Sequence, residues 1–498
     1  MLRYFGVLVP VLAAVFPIAG PGEAGAAGRD VAIGERPAIE RHVDQAQVES
    51  GKLRLRELIE LGRALFNARF NRLDGRGRPA STGTGEPRTA DQPAFVRTSS
   101  PEASSCSGCH AQPRSGGAGD FVANVFVLAE ALDPVSFSVH PSVSNERNTL
   151  GLFGSGAIEM LAREMSEDLI AIRERARAEA AAAGTPVTRD LLAKGVSFGR
   201  ITLLPDGLVD PSAIEGVDWD LIVKPFHQKG AVVSIREFTN NATNHHHGMQ
   251  SVERFGAGLD PDWDDVTDEL TIGDVTAVTI FQAALPAPGR ARPRDRKRRD
   301  AARRGERRFE EIGCGSCHVP AMVLESRIFS EPNPFNPPGN LHPDDTNDPF
   351  EFDLTKSGPG PNIERIEHGR ARVRAFTDLK RHDLNDADFD HFANEQLSQG
   401  SLVGFASPAD FTLPPPPRPT SEFLTRKLWD VGSSGPYGHR GDLTTLTEAI
   451  HFHGGDARRE RGAFFDLPQV DRDEIIEFLK TQQVLPEKGA HARGKPRH

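Results

Sequence analysis

Long apolar runs are missing from this sequence. No segment reaches 18 consecutive apolar residues, which excludes an ordinary membrane-spanning helix. Excess positive charge is missing as well. Seventy acidic residues against 59 Lys and Arg leave a net charge of −11, which argues for solubility and against nucleic acid or an anionic membrane surface as partner. Apolar residues make up 38% of the chain and aromatics 7%, both low for a globular protein of this length. Tyrosine occurs twice, and only Tyr437 lies beyond the N-terminal segment. Cysteine occurs four times, with none to spare outside two short stretches.

Those stretches are Cys106-Ser107-Gly108-Cys109-His110 and Cys314-Gly315-Ser316-Cys317-His318. Each is C-x-x-C-H, the attachment signature of a c-type haem. Two thiols three residues apart reach the two vinyl groups of one porphyrin, and the following His lies against the iron. A disulfide, a redox C-x-x-C pair or half a zinc site are the competing uses. A redox pair has no need of the His, and no second pair of zinc ligands lies near either motif. Two covalently bound haem c groups, with Cys106, Cys109, His110, Cys314, Cys317 and His318 holding them, are the expectation. Each porphyrin is a large apolar plate, which offsets the thin apolar content.

The N-terminus fits that cofactor. Arg3, an apolar run from Gly6 to Gly20 and the small residues Ala24-Gly25-Ala26 read as a secretory signal peptide over residues 1–26. Haem c is attached after export in bacteria, so a periplasmic location is expected. The rest of the chain reads as a repeat. A helical pattern from Leu53 to Asn71 contains Gly62-x-x-x-Phe66 and precedes the first motif; Asp295 to Ile312 contains Gly305-x-x-x-Phe309 and precedes the second. Closing amphipathic helices follow at Ile272 to Leu285 and Asp471 to Leu485. The expected fold is mainly α: two cytochrome-c-like haem domains, residues 50–288 and 289–488, with long irregular loops. Ala287 to Arg294 is the linker. Gly75 to Ser105 and Phe329 to Asn362 read as irregular, Ala231 to Ile235 as a short strand, and Glu167 to Ala183 as an exposed helix.

Several clusters bear on chemistry. The iron's distal face needs a second ligand for electron transfer or an open position for catalysis. His439, His451 and His453 fall within fifteen residues of the second half, and one of them is expected on iron. His245-His246-His247 reads as a loop near haem rather than a metal site, because consecutive side chains diverge. Asp260 to Glu269 holds six acids, read as the acidic entry to a helix before a metal site. The Arg-rich stretch Arg290 to Arg308 is either a docking face or a solvated helix face. Trp429 and Tyr437 are core residues first and electron-path candidates second.

The blocks Leu61-Gly62-x-x-Leu65-Phe66, Glu146-Arg147-Asn148, Phe376-Thr377-Asp378-Leu379 and Pro436-Tyr437-x-His439-x-Gly441, with Leu446-x-Glu448-Ala449-Ile450, resemble the bacterial di-haem cytochrome c peroxidase and MauG superfamily, most closely its di-haem oxidoreductase branch. The resemblance covers most of the chain beyond residue 26. It implies that His453 is the distal ligand of the second haem, where the peroxidases carry Met. It also implies that His140, eight residues before Asn148, is a displaceable distal ligand of the first, reactive haem. The peroxidases' Trp-Asp-Gly-Arg motif is replaced here by Phe153-Gly154-Ser155-Gly156-Ala157-Ile158-Glu159. Glu159 or Glu164 is the candidate acid for peroxide O–O cleavage, each otherwise a helix-surface residue. The peroxidases' Ca2+ between domains would fall on Asn148 and the carbonyls of Ser434 and Pro436.

The implied activity is a peroxidase-type oxidoreductase. Electrons would come from a redox donor protein or small cytochrome and pass from the C-terminal to the N-terminal haem, where hydrogen peroxide or another small oxidant is reduced. A non-catalytic electron carrier competes, motivated by His453 and the missing Trp. Oxidation of a protein or thiol substrate, as by MauG, is the third possibility; MauG has Tyr where this chain has His453.

Overall fold

The computed structural model describes residues 34–76, 103–120, 123–124, 146–356, 361–386, 408–414, 419 and 421–486. The expected signal peptide and His140 lie outside the described residues. The chain divides into residues 1–36 and 37–498, and both C-x-x-C-H motifs lie in the second unit.

Two helix pairs carry the repeat. In the first, Leu55–Asn67 buries Leu58, Gly62, Leu65 and Phe66, the stripe its 3.6-residue period presents. Its start is closed by Glu57, whose carboxylate accepts from the Arg54 backbone N–H at 2.8 Å. It packs on Ile272–Ala283. Gly62 is needed at the crossing: a Cβ there would stand 1.9 Å from the Ala277 carbonyl oxygen. One turn on, the Phe66 and Phe281 rings lie 5.2 Å apart.

The second pair repeats this. Arg296–Glu311, capped by Asp295, packs on Gln469–Lys480. A Cβ at Gly305 would stand 1.8 Å from the Glu474 carbonyl oxygen. Phe309 meets Phe478 at 5.5 Å. A Gly and a Phe four apart thus face a backbone carbonyl and a Phe four apart, in both halves. Three arginines of this helix serve the pair: Arg298 reaches Glu477 at 3.0 Å, Arg304 reaches Glu474 at 2.5 Å and Arg308 reaches Asp471 at 2.6 Å.

The mainly α expectation is overturned. The structure is 38% helix and 15% strand, a mixed α/β protein with several small sheets. The largest run of strand is a hairpin, Val187–Ala193 with Val196–Leu203, extended by Val209–Asp210. Lys194 and Gly195 both have positive φ, 49° and 82°, as a two-residue hairpin turn requires. Leu191, Ala193, Val196, Phe198, Ile201 and Leu203 are buried, so the period-2 pattern is present in the sequence, broken by a bulge between Asp190 and Leu192. Strands also occupy the stretch read as irregular, where Ile328–Glu331 pairs with Phe350–Asp353; on either side of it Met322–Leu324 pairs with Ala371–Val373. Ala231 to Ile235 makes one bridge, Phe226 to Val232, before Ile235 opens a helix. The exposed helix expected at Glu167 is the second half of a 29-residue helix, Ser155–Ala183, whose first half is buried. Among the described residues no helix is long and apolar enough to cross a membrane.

Candidate functional site

Both motifs are built alike. Cys106–Cys109 forms one helical turn, with Ser105 Oγ accepting from Gly108 N–H at 3.1 Å, and His110 ends the turn. Cys314–Ser316 makes a tighter turn before Cys317 and His318. No disulfide joins the cysteines of either motif. Phe66 lies against His110 at 6.3 Å and 50°, and Phe309 against His318 at 6.2 Å and 48°. The Gly-x-x-x-Phe repeat therefore ends, in each half, on the motif histidine.

The histidines are oriented as iron ligands need to be. His110 Nδ1 meets the Gly117 carbonyl at 3.2 Å and His318 Nδ1 meets the Phe376 carbonyl at 3.1 Å. A carbonyl at Nδ1 selects the tautomer that leaves Nε2 as the donor atom. Burial pushes both imidazoles down to about 4, so both are neutral, as ligation requires. Phe376-Thr377-Asp378-Leu379 supplies the second carbonyl. Phe376 and Leu379 each hold φ of 55°, a costly conformation for bulky side chains. Thr377 Oγ1 donates to the Thr425 carbonyl at 2.7 Å and pins the loop.

His453 completes the second site. Its Nδ1 meets the Ala449 carbonyl at 2.7 Å, and its ring centre lies 6.4 Å from that of His318. A metal–imidazole bond of about 2 Å on each side, with ~1.1 Å from nitrogen to ring centre, sums to about 6.3 Å. The pair therefore fits one iron. His439 and His451 are held by other partners, although His439 shares the cavity that holds both motifs. His439, 2% exposed, touches Gln228 Oε1 through Nδ1 at 2.6 Å and Arg147 through Nε2 at 3.0 Å. His451 packs on Phe452 and Phe465.

One cavity of ≈ 610 Å³ runs from the first motif to the second, lined by Cys106, His110, Cys314, His318 and His453 among others. Between the motifs it is walled by Thr425 to Leu428. Lys427 is partly buried; its Nζ donates to the Gly151 carbonyl at 2.9 Å, and burial lowers it to about 7. A partly buried ammonium with a carbonyl partner is a ready counter-charge for a carboxylate such as a haem propionate. Tyr437 also lines the cavity, while Trp429, 2% exposed, packs behind it against Gly154.

His245, His246 and His247 line the cavity beside His110. They sit on a π-helical turn, Thr243–His247, that continues the Ile235–Ala242 helix. His247 Nδ1 meets the Ala103 carbonyl at 2.7 Å, and its Nε2 lies 3.4 Å from Cys106 Sγ. The sequence placed this triplet near haem without singling out a residue; the π turn, invisible to a 3.6-residue pattern, is what turns all three toward the cavity.

The two glutamates lie elsewhere. Glu159, 1% exposed, is not part of the cavity lining; it accepts from Ile235 N–H at 2.8 Å and Asn333 Nδ2 at 2.9 Å. It thereby anchors the start of the helix that leads to the triplet. Burial, then Glu331, raises its pKa. Glu164 pairs with Lys194 at 2.5 Å and accepts from the backbone N–H groups of Glu325 and Ser326, both at 3.0 Å. Asn148 donates to the Pro436 and Gly438 carbonyls at 2.9 and 3.3 Å, and its Oδ1 is buried with no partner among the described residues.

Residues 418–482 match the family described as "Di-haem oxidoreductase, putative peroxidase". The resemblance drawn from the sequence holds over this stretch, which contains His453. No curated protein matches the sequence. Among solved structures, Kuenenia stuttgartiensis hydrazine synthase pressurised with xenon is similar over 93% of this chain and 100% of its own, at 15% identity and a TM-score of 0.35.

Proposed function

We propose that this chain is an exported, periplasmic di-haem c-type cytochrome oxidoreductase of the kind that residues 418–482 match. The observation that carries it is the His318–His453 pair at iron-spanning distance, in a cavity that also takes in the first motif. Cys314, Cys317, His318 and His453 would hold a haem suited to taking electrons from a donor protein, and Cys106, Cys109 and His110 one suited to passing them to hydrogen peroxide or another small oxidant.

The residues divide the work between the halves. Paired imidazoles and their fixed carbonyl partners hold the second site rigid, which suits electron transfer. At the first site His110 is fixed in the same way, and the distal side falls to His140 by resemblance. Phe66 and Phe309 exclude water beside each motif histidine. Lys427, between the motifs, offsets negative charge. Asn148, with the Ser434 and Pro436 carbonyls, is the proposed calcium position: Asn148 lies against the Pro436 carbonyl, and its buried Oδ1 has no partner among the described residues.

The decisive measurement is electron paramagnetic resonance on the oxidised and half-reduced holoprotein, followed by addition of hydrogen peroxide. A low-spin second haem and a first haem that turns high-spin on half-reduction and then reacts with peroxide are expected. Two permanently low-spin haems inert to peroxide would instead establish an electron carrier. That second reading draws support from the three histidines lining the cavity beside His110.

A further inference from the structure

The six acids from Asp260 to Glu269 run up to a helix, but none of them lies in its first turn. The helix that follows, Ile272–Ala283, is capped by Thr271 and Asp274, whose side chains each accept from the other's backbone N–H. The carboxylates upstream therefore need another account.

Asp260, Asp262 and Asp264 each place a carboxylate oxygen within 4.8 Å of the others'. Calcium binds oxygen at about 2.3–2.6 Å, so ligands on opposite sides of one ion stand about 4.8 Å apart and neighbours stand closer. Among the described residues none of the three forms a salt bridge. Asp262 is 5% exposed, and both its oxygens are buried without a hydrogen-bond partner. Burial and the neighbouring Asp264 push it up to about 8. An uncompensated cluster of this kind is costly to bury, and a cation removes the cost.

A residue outside the cluster points the same way. Gln250 is 4% exposed, and neither end of its amide makes a hydrogen bond of proper geometry. It lies close enough to Asp262 to lower that carboxyl's pKa. The amide end that lowers a carboxyl's pKa is its N–H; the oxygen of the same buried amide, which has no hydrogen-bond partner, is a neutral oxygen ligand for a hard cation once the amide turns over, its two ends being interchangeable by rotation. The loop also has the form such ions use. Carboxylates stand at its first, third and fifth positions, and Asp265 at the sixth holds φ of 70°, where calcium loops of this spacing turn sharply. Asp260 braces the turn by accepting from the backbone N–H groups of Trp263 at 2.8 Å and Asp265 at 2.9 Å. Beyond the sixth position the pattern departs from that loop type.

We infer that Asp260, Asp262 and Asp264, with the Gln250 amide oxygen, form a calcium site. The ion joins the 260–264 loop to the segment that leaves the His245–His247 turn, because Gln250 lies three residues beyond His247 and its N–H is held by Glu269 at 2.7 Å. It is separate from the position proposed at Asn148.

Calcium bound per chain is measured on metal-stripped holoprotein by equilibrium dialysis with CaCl2, for the parent and for Asp262→Asn/Asp264→Asn. The variant is expected to bind one ion fewer per chain and to lose the rise in melting temperature that CaCl2 gives the parent. A parent that binds no calcium at millimolar concentration, or a variant with the full complement, overturns the site. Should the double variant lose its Soret band, Asp264→Asn alone, at a partly exposed position, is used, with at least tenfold weaker binding expected and unchanged binding overturning it.

Discussion

The imidazole of His453 stands across from that of His318 at 6.4 Å, with 50° between the ring planes. Neither ring can drift, since each Nδ1 is held by a main-chain carbonyl. A thioether in place of His453 raises the potential of a His-ligated haem, within the roughly 0.8 V that axial ligands span. His453→Met is therefore expected to raise one of two midpoint potentials, on the order of 0.1 V, and to leave the other unmoved. Potentiometric titration reads both. Two unchanged potentials would remove His453 from the iron.

The first haem's distal ligand is open to a direct comparison. His140→Ala is expected to convert the first haem's low-spin signal to high-spin, whereas His246→Ala leaves ligation unchanged. Electron paramagnetic resonance on the two oxidised variants checks this. The reverse result would give the role to the π turn.

Gly62 and Gly305 mark the helix crossings that repeat. A methyl at either meets a backbone carbonyl at 1.9 or 1.8 Å, which backbone can relieve only by moving the helix. Each Gly→Ala change is expected to destabilise by about 1–3 kcal/mol, despite a helix-propensity gain of ~1 kcal/mol. Thermal melting followed in the far ultraviolet checks the loss, and the Soret band shows whether haem is retained. Equal or higher stability would mean the crossings are looser than they stand here.

His42 ties the segment before the first helix pair to the closing helix. Its Nδ1 lies 2.6 Å from Asp274 Oδ2, and that hydrogen bond raises its pKa above 6.5. A raised histidine favours the folded state in full below its unfolded pKa, and the contribution is lost as pH climbs through the folded value. The melting temperature of the parent should therefore fall relative to His42→Gln as pH rises from below 6.5 into the alkaline range. The ring is half-exposed, so the difference is small and shrinks with salt. A parallel pair of pH profiles would show that the contact is not charged.

Chemistry-bearing residues were legible where the chemistry is local in sequence. Two thiols and a histidine within five residues are read as a haem motif from the sequence alone. The Gly-x-x-x-Phe repeat was legible for a related reason, since a helix brings residues four apart onto one face. What escaped was set by pairing between strands rather than by a face within one helix. The Val187–Leu203 hairpin alternates visibly, but a bulge shifts its register. The strands of Ile328–Glu331 and Phe350–Asp353 are short, among Pro, Asn and Asp, and exist because they pair with each other.

The sequence by itself determined the two haem motifs, the helices that flank them and the match of its last part to a di-haem family, because each depends on residues within a few turns of one another. Only the tertiary structure decided that Glu159 and Glu164 stand apart from the cavity lining, and that Gln250 faces Asp262. A carboxylate's role depends on what desolvates it and what it faces. For Glu159 those are Ile235 and Asn333, and for Glu164 they are Lys194 and the Glu325 backbone. Such partners, brought in from far along the chain, have no sequence signal of their own.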